Sequence, residues 1–178
     1  MKNFKLNEKD ILSNQDWTFP TTTYYGPGRF NEIAKFCEEF DIKNPLIVTD
    51  SGSKDLPFIK KLTALLSKNN IKSDLFYNIS PNPRDDEISK GCDQFKNGSH
   101  DSIIAIGGGS AMDGGKSICL TVNSETPLWD FEFEQPVPKI TKENAFPKII
   151  TVPTTAGTGA ETEITAMVTH LEKGMKFC

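Results

Sequence analysis

"SIIAIGGGSAMDGGKSICL", residues 102–120, decides the fold. Its first half, around Ile103, Ile104 and Ile106, reads as a buried β-strand. Three glycines follow directly, and the residues from about Ser110 to Val122 suit a helix. Glycine lets a backbone approach a ligand closely, and a helix N-terminus offers free N–H groups and a positive dipole end. The stretch therefore reads as a phosphate-binding turn.

Three motifs compete for it. A P-loop needs Gly at position 110, where this chain has Ser, so the loop has the wrong length. The dinucleotide fingerprint G-x-G-x-x-G fits Gly107 and Gly109 but meets Met112 at its third glycine. A nucleophile elbow fits Gly108 and Ser110, fails at Met112, and has no histidine placed as base. A purely structural turn, with Ser110 as helix N-cap, remains open beside the ligand readings.

Outward from this stretch, strands alternate with helices. That order argues for an α/β fold: a Rossmann-like, mostly parallel sheet with helices on both faces. "PLIVTD" (45–50), "SDLFYNIS" (73–80) and "PKIITVPTT" (147–155) read as strands. Helical spacing joins Ile33, Phe36, Cys37 and Phe40; then Phe58, Ile59, Leu62, Leu65 and Leu66; then Ile88, Cys92 and Phe95, with Gly98 as a stop. "TFPTTTYYG" (18–26) is β-prone but interrupted by Pro, which predicts an edge strand. Residues 123–146 form a long loop, and loops of that length are usually functional or mobile. The tail "ETEITAMVTHLEKGMKFC" predicts two strands around a turn at 172–174. A second glycine loop, Thr154–Gly159, also follows a strand. Two such loops at the strand ends of one parallel sheet would flank a common crevice, where ligands bind in this architecture. Asp50 ends "LIVTD"; a carboxylate there can accept hydrogen bonds from ribose hydroxyls and repel a 2′-phosphate, although a plain turn role suits it equally well.

Composition narrows the partners. The chain has 178 residues, 20 basic against 24 acidic, a net charge of -4 and a pI near 5.3. No basic excess favours nucleic acid, and no apolar run approaches a membrane span. The N-terminus lacks the apolar core of a secretory signal, which predicts a cytoplasmic protein. The four cysteines, at 37, 92, 119 and 178, form no C-x-x-C pair. With only His100 and His170, no metal-ligand spacing stands out.

"IAIGGGSAMDGGKSI", followed some forty residues later by "VPTTAGTGAETE", resembles the iron-containing (group III) alcohol dehydrogenase family, with the order and spacing running from Trp17 to Cys178. The resemblance implies an NAD-binding α/β domain over residues 17–178, after an extension at 1–16. Asp50 would meet the adenosine ribose, and Asn82 would contact the nucleotide. Gly108, Gly109 and Ser110 would form the pyrophosphate turn. Asp113 would lie near the nicotinamide end, with Lys116 bracing the loop. Thr154, Thr155 and Thr158 match the second nucleotide loop. Lys176 matches a cofactor-contacting lysine of the hairpin, a solvated strand lysine being the alternative.

The family's activity implies hydride transfer between NAD and a small alcohol or aldehyde, assisted by Fe²⁺ or Zn²⁺. The resemblance places that metal's ligands, and the helical domain that carries them, in a part absent from this chain. The expectation is therefore the N-terminal, cofactor-holding half of such an enzyme, with no catalytic or metal-binding residue of its own. The family implies a homodimer pairing through edge strands. A non-catalytic nucleotide-binding module, a dehydroquinate synthase-like lyase and a P-loop ATPase are the other readings.

Overall fold

The computed structural model describes residues 21–139 and 145–178. The extension at 1–16 and residues 18–20 of the first predicted strand lie outside them. A 3-10 turn at Arg29–Glu32 leads into α1 (Ile33–Glu39), then β1 (Pro45–Asp50), α2 (Pro57–Lys68) and β2 (Asp74–Ile79). After these come α3 (Asp85–Asn97), β3 (Ser102–Gly107), α4 (Gly109–Thr121) and β4 (Lys148–Pro153). β5 (Val168–His170) and β6 (Met175–Phe177) form a separate antiparallel pair.

The four longer strands make one parallel sheet in the order β2-β1-β3-β4. Alternation sorts its core. Leu46 and Val48 of β1, with Ile103 and Ala105 of β3, face α3 and α4. Ile47, Ile104 and Ile106 face α1 and α2, where they meet Ile33, Ile59, Leu62 and Leu66. β3 is buried at every residue because it has strands on both sides and helices on both faces. β4 is exposed at its two ends and half-buried over its four middle residues. Among the described residues it has β3 alone as a neighbour.

The chain winds one way from β1 to β2, then crosses back to place β3 on the other side of β1. The reversal leaves a crevice beyond the C-terminal ends of β1 and β3. Asp50 and Gly107 are the last residues of those two strands.

One expectation needs correcting. Residues 21–26 form no strand. Instead the Tyr24 ring packs 4.3 Å from the Phe36 ring, and Gly26 and Gly28 take positive φ in a turn that leads into the 3-10 segment. Gly98 ends α3 with an ordinary right-handed conformation, and Ser99 takes the left-handed one. Gly98 is needed for space, since a Cβ there would lie 2.2 Å from His100 Nε2.

Candidate functional site

The site begins at Gly107, whose φ of +147° turns β3 sharply into α4. A side chain here would be strained in any case, and its Cβ would also stand 2.8 Å from the Ala111 Cβ. Gly108 is the N-cap of α4, so the cap role expected for Ser110 is not observed. The Ser110 hydroxyl donates instead to the Pro81 carbonyl, at 2.6 Å, and ties the helix to the loop after β2.

The second glycine loop lies directly alongside. The Thr154 N–H donates to the Gly107 carbonyl at 2.8 Å, linking the two turns through their backbones. A Cβ added to Gly108 would sit 3.5 Å from Thr155 Oγ1, and one added to Gly109 would sit 3.2 Å from Thr158 Oγ1. Glycine thus keeps a cradle open between the loops, with the first-turn amides of a 13-residue helix at its floor.

Asp50 occupies the neighbouring strand end. Its carboxylate accepts from the Gly52 N–H at 3.0 Å and from the Ser53 hydroxyl at 2.7 Å. This is the turn role, and it leaves acceptor capacity, because a carboxylate offers about four lone-pair sites. A Cβ on Gly107 would lie 3.2 Å from Asp50 Oδ2, so the carboxylate borders the glycine turn.

A cavity of about 290 Å³ is lined by Gly109, Ser110, Asp113, Thr158, Glu163 and Lys176, among others. Lys176 donates to Asn82 Oδ1 at 3.1 Å, which joins the β5–β6 hairpin to the β2–α3 loop. Lys176 itself is an exposed residue of β6. Lys116 Nζ donates to the carbonyls of Ala160 (2.9 Å), Glu163 (3.3 Å) and Thr165, and lies 3.7 Å from Asp113 Oδ1. It ties α4 to the 160–165 segment. Burial pushes the Asp113 carboxyl above its ordinary value against the opposing pull of Lys116. Burial likewise lowers Lys116, with Asp113 and Glu163 acting the other way. A larger groove of about 520 Å³ lies where the strands begin rather than end, beside Lys35, Asp41 and Asn70, and contains none of the candidate residues.

Sequence reasoning missed the residues that support this site. Glu87, on the first turn of α3 and buried, accepts from the Ser80 N–H (3.1 Å), the Ser80 hydroxyl (3.0 Å) and the Arg84 N–H (3.1 Å) through one oxygen. It clamps the loop that presents Asn82. The acidic run "RDDE" at a helix start was the available signal. In the long loop, Trp129 donates to Asp85 Oδ2 at 3.1 Å and stacks on His170, with ring centroids 4.7 Å apart. Phe177 closes on the same indole edge-on, so the loop buttresses the hairpin that carries Lys176. This packing accounts for His170, and His100 is buried against the Asn44 carbonyl. Among the described residues, no three His, Cys, Asp or Glu side chains converge to hold a metal, and no helix is long and apolar enough to cross a membrane.

A family model described as iron-containing alcohol dehydrogenase matches residues 20–178. The 1,3-propanediol dehydrogenase of Klebsiella pneumoniae is 29% identical over 164 residues, covering 91% of this chain and 41% of that protein. The NADH-dependent butanol dehydrogenase A of Clostridium acetobutylicum is 31% identical over 163 residues, covering 91% and 40%. The crystal structure of a 1,3-propanediol oxidoreductase superposes with a TM-score of 0.81 at 29% identity, over 91% of this chain and 41% of that one. The chain thus spans about two fifths of the length of these relatives. Because the match runs through both strand-end loops and everything between them, this chain belongs to the iron-containing alcohol dehydrogenase family.

Proposed function

We propose that residues 17–178 are one dinucleotide-binding unit, with 1–16 as an extension, and that the unit holds NAD(H) for the interconversion of a small alcohol and its aldehyde or ketone. The observation that carries this reading is the pairing of two glycine loops across the β1/β3 crevice, joined at Thr154–Gly107, over the N-terminus of α4. The cradle that a Cβ on Gly109 would fill has the character a pyrophosphate needs. The NADH dependence in the name of the Clostridium relative agrees with it.

In this reading Gly108, Gly109 and Ser110 face the pyrophosphate, with Thr154, Thr155 and Thr158 opposite. Asp50 accepts from the adenosine ribose and disfavours a 2′-phosphate. Asn82, Asp113 and Lys176 flank the nicotinamide half. When bound, NAD accepts or returns the hydride; the residues of this chain orient it and shield it from water. The iron in the family's name has no ligand set among the described residues.

Isothermal titration calorimetry tests the reading. NAD⁺ should bind, NADP⁺ should bind much more weakly, and Asp50→Gly should narrow that gap by weakening NAD⁺. A folded sample that takes up no NAD⁺ would overturn it.

A further inference from the structure

Lys116 ends in an unusual place. A lysine on α4 ordinarily lays its stem along apolar surface and leaves its ammonium in water. Here the side chain is only 15% exposed, and its ammonium is ringed by oxygen. The carbonyls of Ala160, Glu163 and Thr165 all turn towards Nζ, and the Asp113 carboxylate stands 3.7 Å away. An ammonium has three protons to donate, and three carbonyls accept them. All three come from one short irregular segment, so the segment is wrapped around the charge. The hydroxyls of Thr151 and Thr162 bond to the Glu161 and Gly159 carbonyls, and neither competes for the caged oxygens.

Main-chain carbonyls converging on a single positive charge are the arrangement by which proteins hold a monovalent cation. We propose that Lys116 is a tethered substitute for a monovalent cation such as K⁺ or NH₄⁺, filling an oxygen cage built by residues 160–165 and Asp113. Lys116 acts as a positioning residue. By filling the cage it fixes the wall of the cavity formed by Glu163, Thr165 and Met167 and holds Asp113 in place across it. The inference stands on the cage alone and does not require that NAD binds.

The cage predicts rescue by its natural ligand. In Lys116→Ala the ammonium and its stem are gone, while the carbonyls and the Asp113 charge remain. Urea midpoints and the rate of proteolytic cleavage within 157–166 would be followed in KCl, NH₄Cl and tetramethylammonium chloride at one ionic strength. In tetramethylammonium chloride the variant should be less stable than wild type and cleaved faster. KCl or NH₄Cl should raise its midpoint and slow cleavage, saturating below about 1 M, beyond what screening alone provides. Wild type should respond alike to all three salts. Equal midpoints and equal cleavage of the variant in all three salts would overturn the proposal.

Should Lys116→Ala not fold in any salt, the wild-type protein decides by NMR of the lysine side chains. One ammonium, absent from the spectrum of Lys116→Arg, should exchange with water at least about tenfold more slowly than the solvated lysines. Uniform exchange across the lysines would equally overturn the proposal.

Discussion

Gly115→Ala offers the sharpest test of how the nucleotide turn is supported. Gly115 lies inside α4, where alanine is normally preferred by about 1 kcal/mol. In this fold an added Cβ would stand 2.5 Å from the Ala105 Cβ and 3.6 Å from the Ala105 Cα and Ile103 Cγ2. Apolar carbons meet comfortably at about 3.5–4.0 Å, so the first contact is short by more than about 1 Å. The obstructing atom is bonded directly to the backbone of β3 and cannot rotate away. Ala105 is fully buried, and α4 packs against β1, β3 and β4 together, so the helix has nowhere to retreat.

Overpacking of this kind costs about 1–3 kcal/mol, and a rigid neighbour places it at or above the upper end. Less the helix-propensity gain, Gly115→Ala should destabilise by about 2 kcal/mol. With a urea m-value of about 2 kcal/mol/M, the midpoint should drop by about 1 M. Ala105→Gly removes the obstructing methyl. Paired with Gly115→Ala it should recover most of the loss, giving a coupling of about 2 kcal/mol in the double-mutant cycle. Urea denaturation followed by far-UV circular dichroism measures all four proteins. A Gly115→Ala midpoint equal to or above wild type, or a coupling below about 0.5 kcal/mol, would refute the close helix–strand approach.

Two further outcomes follow from the same structure. Glu87→Ala should cost about 3 kcal/mol, because three donors lose a buried carboxylate, and hydrogen exchange should accelerate at the Ser80 and Arg84 amides while β3 stays protected; unchanged exchange over 80–84 would dismiss the clamp. Asp113 holds its proton more tightly folded than unfolded, since burial raises its pKa. Its charged form therefore lowers stability as pH rises from about 4 through the raised value. Asp113→Asn lacks that titration, so the wild-type midpoint minus the variant midpoint should fall over that range; a difference independent of pH would contradict the burial argument.

The strands and helices of the sheet were legible because their patterns are local. Ile103, Ile104 and Ile106 announce a buried strand, and the spacing of Ile59, Leu62 and Leu66 announces a helix face. The edge strand predicted at 18–26 fails over its described part for a non-local reason. The Tyr24 ring finds Phe36, and the propensity of threonine and tyrosine for strands cannot register that contact. Ser110 misled in the same way: a serine at a helix start suits a cap, but the Pro81 carbonyl, 29 residues away, takes its proton.

By itself the sequence determined the alternation of elements, the turn after β3, the second glycine loop and the acidic end of β1, since each is written in adjacent residues. The common crevice was an expectation from the two loops, and the strand order that puts Asp50 beside them came only with the tertiary structure, because that order is set by packing between distant segments. The tertiary structure also decided what Glu87, Trp129 and Lys116 do. Their partners lie at Ser80, at Asp85 and His170, and along 160–165, and a buried polar group is satisfied by whatever the fold brings to it.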